Sequence, residues 1–326
     1  MKQWERSGFL WGEEDFIANT NTIGEDFRKK HYTDGFFTSS DGTKLHYTFV
    51  KNEQEKAAVV ISHGFCEIIA KYDETIYYLY QLGYSVYFID HRGHGFSGRK
   101  VPEFDKVCIG SFDEYVEDFR QFMDEIVKKN SPDTTYLLFA HSMGGAIGTL
   151  FLEKYPSYFK AAVLSSPMIK MRCGKMPDWL VWIFIGWGDL AHWQYHYVPG
   201  QHGYDDTYDF DNSCSLSRAR YDYVYKLRQE TPEYRTSSGT YGWVAAGQRA
   251  SRKIMKNAGR VQIPVLLLQA GIDDLVRLDA QERFAKKSGN TKLARFPDAK
   301  HEIFNAATDT REKYYHEVFS FLEEQL

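Results

Sequence analysis

The chain has little cysteine, no long hydrophobic run and almost no excess of charge of either sign. Its 326 residues hold four cysteines, Cys66, Cys108, Cys173 and Cys214. None forms a Cys-x-x-Cys pair or joins histidine at zinc-ligand spacing, so neither a disulfide framework nor a metal site is expected. Such usage suits reduced thiols in the cytosol. The longest apolar run, Trp179 to Trp187, has nine residues. A spanning helix needs about 20. Met1 to Ser7 lead into no apolar stretch, so no secretory signal is read. The expected location is cytoplasmic, at most peripheral to a membrane surface. The net charge of −4 comes from mixed signs and offers no basic face for nucleic acid.

What is present is apolar and aromatic. Residues of the apolar types make up 43% of the chain and charged ones 26%, which excludes a disordered polypeptide. There are 7 Trp, 23 Tyr and 23 Phe. From Phe36 to Val50 two alternating runs flank Asp41-Gly42, the pattern of a β-hairpin. Short continuous apolar runs follow at Ala57–Ser62, Tyr84–Ile89, Thr135–Ala140, Ala161–Leu164 and Val265–Gln269. Runs of that length suit strands buried on both faces. Helical periodicity lies between and after them, at Tyr72–Leu82, Phe112–Lys128, Gly144–Lys154, Ala280–Lys287 and Arg311–Leu326. Alternation of this kind predicts an α/β fold with a mainly parallel central sheet. Residues 1–33 read as irregular. The alternation stops near Lys170 and resumes near Gly259, which predicts a discontinuous core, 1–169 and 260–326, with a largely helical cap at 170–259. Arg172, Arg218, Arg220, Lys226, Arg228 and Arg235 make that cap locally basic, and their interleaving with acids reads as a solvated face.

Chemistry concentrates at strand ends. Ala140-His141-Ser142-Met143-Gly144-Gly145 follows a predicted strand and opens a predicted helix, the setting of a nucleophile elbow. Ala140 stands where such elbows usually carry glycine, and one methyl should still let the turn form. Ser62-His63-Gly64-Phe65-Cys66 follows an earlier strand, where backbone amides of Phe65 and Met143 are candidates for an oxyanion hole. Asp273 and Asp274 compete for the acid after a late strand, and Asp273 is preferred. His301 lies in the loop ahead of the last helix. A serine hydroxyl needs a base, and a histidine base needs a carboxylate to fix its tautomer. Asp90–Arg99 is glycine-rich but lacks the spacing of a phosphate loop, and reads as structural. Cys66 reads as inert.

The order Ser142, Asp273, His301 is that of the α/β-hydrolases. Asp90-His91-Arg92-Gly93-His94-Gly95, Ala140–Ile147, Ser165-Ser166-Pro167-Met168, Gly239–Val244 and Lys300–Ile303 resemble segments of the monoacylglycerol lipase and lysophospholipase group, most of all its bacterial lysophospholipase L2 branch. The resemblance covers most of residues 35–326 and is weakest in the cap. It implies an α/β-hydrolase fold, Ser142 as nucleophile, Asp273 and His301 as acid and base, and Phe65 and Met143 as oxyanion donors. It implies hydrolysis of a lysophospholipid or monoacylglycerol through an acyl-serine intermediate. No cofactor is implied, because protein groups supply the whole constellation. Trp179, Trp182, Trp187 and Trp243 are candidate substrate contacts, on a cap that would line an acyl channel or touch a lipid surface. The same triad would also serve a short-chain carboxylesterase, a thioesterase or an amidase. A non-catalytic binding protein of this fold would be expected to lack one of the three residues.

Overall fold

The computed structural model describes residues 2–6, 8–174 and 176–326. Its strands are β1 (Tyr32–Thr38), β2 (Lys44–Val50), β3 (Ala57–Ser62), β4 (Tyr84–Ile89), β5 (Lys106–Val107), β6 (Tyr136–His141), β7 (Ala161–Ser165), β8 (Ser238–Gly239), β9 (Val265–Ile272) and β10 (Thr291–Lys300). Eight of them form one sheet in the order β1-β2-β4-β3-β6-β7-β9-β10, and β5 pairs with β8 apart from it. The pairs that β2 makes with β1 and β4 are antiparallel; from β4 across to β10 every pair is parallel. The hairpin turns at Asp41-Gly42, where Gly42 takes φ +87°. That left-handed conformation is open to glycine at no steric cost.

The helices are α1 (Phe16–Asn19), α2 (Glu25–His31), α3 (Asp73–Gln81), α4 (Phe112–Phe122), α5 (Lys128–Asn130), α6 (Met143–Lys154), α7 (Asp178–Leu190), α8 (Arg218–Glu230), α9 (Tyr241–Asn257), α10 (Leu278–Ser288) and α11 (Thr308–Glu324). Strand β3 shows how the layers divide. Ala58 and Val60 join a core with Phe112 and Phe119 of α4, Ile147 and Phe151 of α6, and Phe284 of α10. Ala57, Val59 and Ile61 join the opposite core with Ile76 and Leu79 of α3 and Val318 and Phe319 of α11. A period of two on a strand covered on both faces requires that split.

Two expectations need correction. The first 33 residues are not irregular. A π-helical turn at Thr20–Gly24 joins α1 to α2, and Trp4, Trp11, Phe16 and Phe27 are buried in the α3/α11 core. Short helices interrupted by a π turn lose the 3.6-residue rhythm, so packing rather than local pattern holds them. Nor is Arg220 part of a solvated face. It is 4% exposed and bonds Glu74, Glu13 and the Trp11 carbonyl, while Arg311 reaches Glu74 and the same carbonyl. Buried charges need such complete pairing, and this set ties α8 to the N-terminal segment and to α3.

The chain leaves the sheet after β7 and returns at β9. Within that insertion α9 sends Trp243, Ala246, Ala250 and Ile254 into the α4/α6 core. Helix α7 buries only Val181, Ile185 and Gly188, at i, i+4 and i+7, with Val181 and Ile185 packed on Ala245 of α9. Among the described residues, no helix is long and apolar enough to cross a membrane.

One buried acid carries a stability prediction. Glu153, at the end of α6, is 6% exposed. Burial pushes its carboxyl up to about 8, and Asn257, Lys253 and Arg260 offset only part of this. An acid whose folded pKa exceeds its unfolded value stabilises fully below the unfolded value and loses that contribution as pH rises to the folded one. Thermal unfolding of the wild type should therefore lose on the order of 4 kcal/mol between pH 4.5 and 8 that Glu153→Gln does not lose. Calorimetry of the two proteins across that range checks it.

Candidate active site

The sheet order puts the site where it is. Strands β3 and β6 are neighbours, with Ser62 opposite Ala140, so the loops after them lie side by side. Ser142 sits between β6 and α6 at φ +51° and ψ −116°, a strained conformation that the packing around it must impose. A Cβ on Gly144 would fall 2.0 Å from the Ser62 carbonyl oxygen, and one on Gly145 would fall 2.6 Å from Cβ of Pro167. The elbow is thus wedged between the β3 loop and the Ser165–Pro167 turn. The Ser142 amide donates to the Ser165 carbonyl at 3.1 Å, and the Met168 amide donates to the Ser142 carbonyl at 2.8 Å. The methyl of Ala140 is accommodated because Gly148 leaves room, its absent Cβ lying 3.4 Å away.

The other two residues arrive from β9 and β10. His301 Nε2 lies 2.8 Å from Ser142 Oγ, and its Nδ1 lies 2.6 Å from Asp273 Oδ2. The second Asp273 oxygen accepts from the Leu275 and Val276 amides at 2.9 and 3.1 Å. Burial pushes the Asp273 carboxyl up, but His301 and those two amides outweigh it and hold it below the usual carboxylate range. An ionised carboxylate only accepts, so Nδ1 carries the imidazole proton and Nε2 is left to accept from the serine hydroxyl. Ser142, Asp273 and His301 are 9%, 5% and 4% exposed, so a substrate meets them in a nearly dry site. The structure separates the two aspartates: the Asp274 side chain is 92% exposed and pairs with Arg172 at 3.0 Å.

Phe65 and Met143 stand in the two adjoining loops. Met143 is the first residue of α6, where a backbone amide has no acceptor within the helix. The Phe65 ring packs on Trp243 with centroids 4.1 Å apart and meets His94 edge-on at 5.4 Å. Of the four candidate tryptophans, only Trp243 is brought against this loop. Trp182 is half-buried under Arg252, whose guanidinium lies 3.3 Å from the ring centre. Trp179 and Trp187 are 66% and 63% exposed. They fall opposite the Val181/Ile185/Gly188 stripe of α7, on the face turned away from α9 and open to solvent.

Sequence reading missed Arg172, which donates to the Asp273 carbonyl at 2.9 Å. It also missed the cap segment at Cys214, whose carbonyl accepts from the Glu302 amide at 3.1 Å, beside His301. Neither has a motif, because both act through backbone contacts between distant stretches. Burial pushes the Cys66 thiol up to about 12, which leaves it protonated. Among the described residues no group of three or more His, Cys, Asp or Glu is placed to hold a metal ion.

Residues 53–307 match the serine aminopeptidase, S33 family. The chain is 31% identical over 288 residues to lysophospholipase L2 of Escherichia coli K12, covering 88% of this chain and 82% of that protein. It is 32% identical over 272 residues to a monoacylglycerol lipase of Mycolicibacterium smegmatis, covering 82% and 90%. Among solved structures, a soluble variant of Saccharomyces cerevisiae monoglyceride lipase in complex with a substrate analog superposes with a TM-score of 0.71 at 18% identity, covering 90% and 94%. The fold is therefore that of the α/β-hydrolases, and the chain belongs to the S33 family of serine hydrolases.

Proposed function

We propose that this protein hydrolyses carboxylic esters of single-chain lipids, lysophospholipids or monoacylglycerols, through an acyl intermediate on Ser142. The observation that carries the reading is His301, hydrogen-bonded at one ring nitrogen to Ser142 and at the other to Asp273. On attack, the Ser142 oxygen bonds the ester carbonyl carbon while its proton moves to His301 Nε2. The oxyanion formed is met by the amides of Phe65 and Met143, each worth on the order of 3 kcal/mol of barrier. Collapse breaks the ester bond, and His301 returns the proton to the leaving alcohol. Water then repeats the sequence on the acyl-serine and releases the fatty acid. Residues 1–169 and 260–326 form the hydrolase core and 170–259 the cap over it. The relatives' names support the lipid class. The test is turnover of p-nitrophenyl esters from two to sixteen carbons, beside matched thioesters and aminoacyl p-nitroanilides. A maximum at eight carbons or more on the oxygen esters is expected. A maximum at two carbons makes it a short-chain esterase, and a preference for the anilides makes it a peptidase.

We further propose that α7 docks on the lipid surface that supplies the substrate. Met176, Trp179, Ile183, Phe184, Trp187 and Leu190 are all exposed, with Leu190 at 73%. An apolar helix face of that kind suits shallow insertion at the headgroup boundary. Trp179→Ser with Trp187→Ser is expected to weaken binding to phosphatidylcholine vesicles about tenfold or more. Binding should change little with salt, since the face that inserts is apolar. Vesicle flotation at two salt concentrations measures both.

A further inference from the structure

Glu67 is a buried carboxylate that the catalytic cycle above does not use. It is 3% exposed. Its Oε2 accepts from the Gly64 amide and from the Tyr72 hydroxyl, each at 2.5 Å. Its Oε1 lies 3.4 Å from Lys71 Nζ and 3.6 Å from His141 Nε2. Lys71 in turn bonds Glu302, the residue after His301, and the His141 ring packs on the His301 ring with centroids 4.9 Å apart. Burial pushes the Glu67 carboxyl up, but the Lys71 ammonium and the Tyr72 hydroxyl hold it below the usual range, so it stays ionised. Burial pushes His141 down to about 4, so that imidazole is neutral.

The contacts with Gly64 bear directly on the oxyanion hole. Glu67 takes the Gly64 amide with its carboxylate and offers its own amide to the Gly64 carbonyl at 3.4 Å. His63 Nδ1 bonds the same carbonyl at 2.7 Å. A trans peptide is planar, so a carbonyl held on one side fixes the N–H on the other. That N–H belongs to Phe65. Glycine at 64 would otherwise leave the plane free to rotate, and no larger residue fits. A Cβ there would lie 2.7 Å from Glu67 Oε2. Two residues on, Cys66 is held at φ +59°, a conformation that needs such clamping.

We propose that Glu67 is a positioning residue: it sets the Phe65 amide for the oxyanion and, through Lys71 and Glu302, ties that amide to the loop carrying His301. The proposal rests on the hydrolase reading above. The two sides of the reaction, nucleophile activation and oxyanion capture, come from loops after β3 and β10 that are not adjacent in the sheet. The Glu67–Lys71–Glu302 chain spans them. A misplacement of about 1 Å in such a group costs about 100-fold in rate.

The experiment uses full-length protein, with active sites counted by a fluorophosphonate so that rates refer to folded enzyme. Glu67→Met keeps the length but offers no acceptor. It should lower kcat about 100-fold with KM within about threefold, and weaken a long-chain alkyl boronic acid, which forms a tetrahedral adduct on Ser142, by a similar factor. Glu67→Gln can still accept from Gly64 and should lose only about tenfold in both. Tyr72→Phe leaves the carboxylate on Gly64 and, if the Glu67 variants do not fold, should still lose about threefold in kcat and boronate affinity together. Rates per labelled site equal to wild type, or a kcat loss with boronate affinity unchanged, would overturn the proposal. If the wild type itself neither labels nor hydrolyses esters, the hydrolase reading fails instead, so the two failures are distinct.

Discussion

Ser142→Ala is expected to lower ester turnover by about 10⁴- to 10⁶-fold while the protein remains folded. The loss is that large because, among the described residues, Ser142 Oγ is the one hydroxyl bonded to His301 Nε2, at 2.8 Å. The remaining rate would come from the oxyanion donors and binding alone. The elbow adds a stability prediction. Ser142 is held at φ +51°, and Ser142→Gly should relieve that strain and stabilise the fold by about 1 kcal/mol. Steady-state kinetics with a p-nitrophenyl ester and thermal unfolding of the two variants measure these effects. A Ser142→Ala protein with more than a hundredth of wild-type kcat would mean that the nucleophile lies elsewhere.

Asp273→Asn is expected to cost about 10⁴-fold in kcat, and Asp274→Asn less than about twofold. An asparagine at 273 can present an N–H to His301 Nδ1, which then turns acceptor and leaves Nε2 protonated against the serine hydroxyl. The amides of Leu275 and Val276 keep a carbonyl at 273 in place, so the fold should survive. Asp274 is solvated and pairs with Arg172, and that guanidinium should keep its bond to the Asp273 carbonyl when the side chain at 274 is neutral. Equal effects of the two substitutions would remove the distinction drawn between neighbouring aspartates.

The parallel strands were legible because they are buried on both faces. Ala57–Ser62 and Tyr84–Ile89 are continuous apolar runs and became β3 and β4 with those limits. The elbow was legible because a strand, a Ser-x-Gly-Gly and a helix follow one another in sequence. His301 was harder. Its strand, β10, is an edge whose residues are mostly exposed or half-buried, and its register with β9 shifts between Phe296 and Lys300. The visible pattern was only the short run Leu293–Phe296, yet the irregularity lies just ahead of the histidine. The N-terminal helices were illegible because Trp11 and Phe16 are fixed by α3 and by Arg220 more than 200 residues away. Glu67 was passed over because a lone glutamate three residues after a glycine has no signature until the chain folds back on Gly64. The outward face of α7 was illegible for a related reason. Composition showed an apolar segment, but only packing against α9 decides which face is outward.

The central claim is an acyl intermediate on Ser142. The most direct measurement is mass spectrometry of enzyme acid-quenched during steady-state hydrolysis of p-nitrophenyl laurate. The account requires a lauroyl adduct on the peptide that carries Ser142, present in the wild type, absent in Ser142→Ala, and longer-lived when deacylation is slowed. Sustained hydrolysis with no adduct, or an adduct on any other residue, would contradict it.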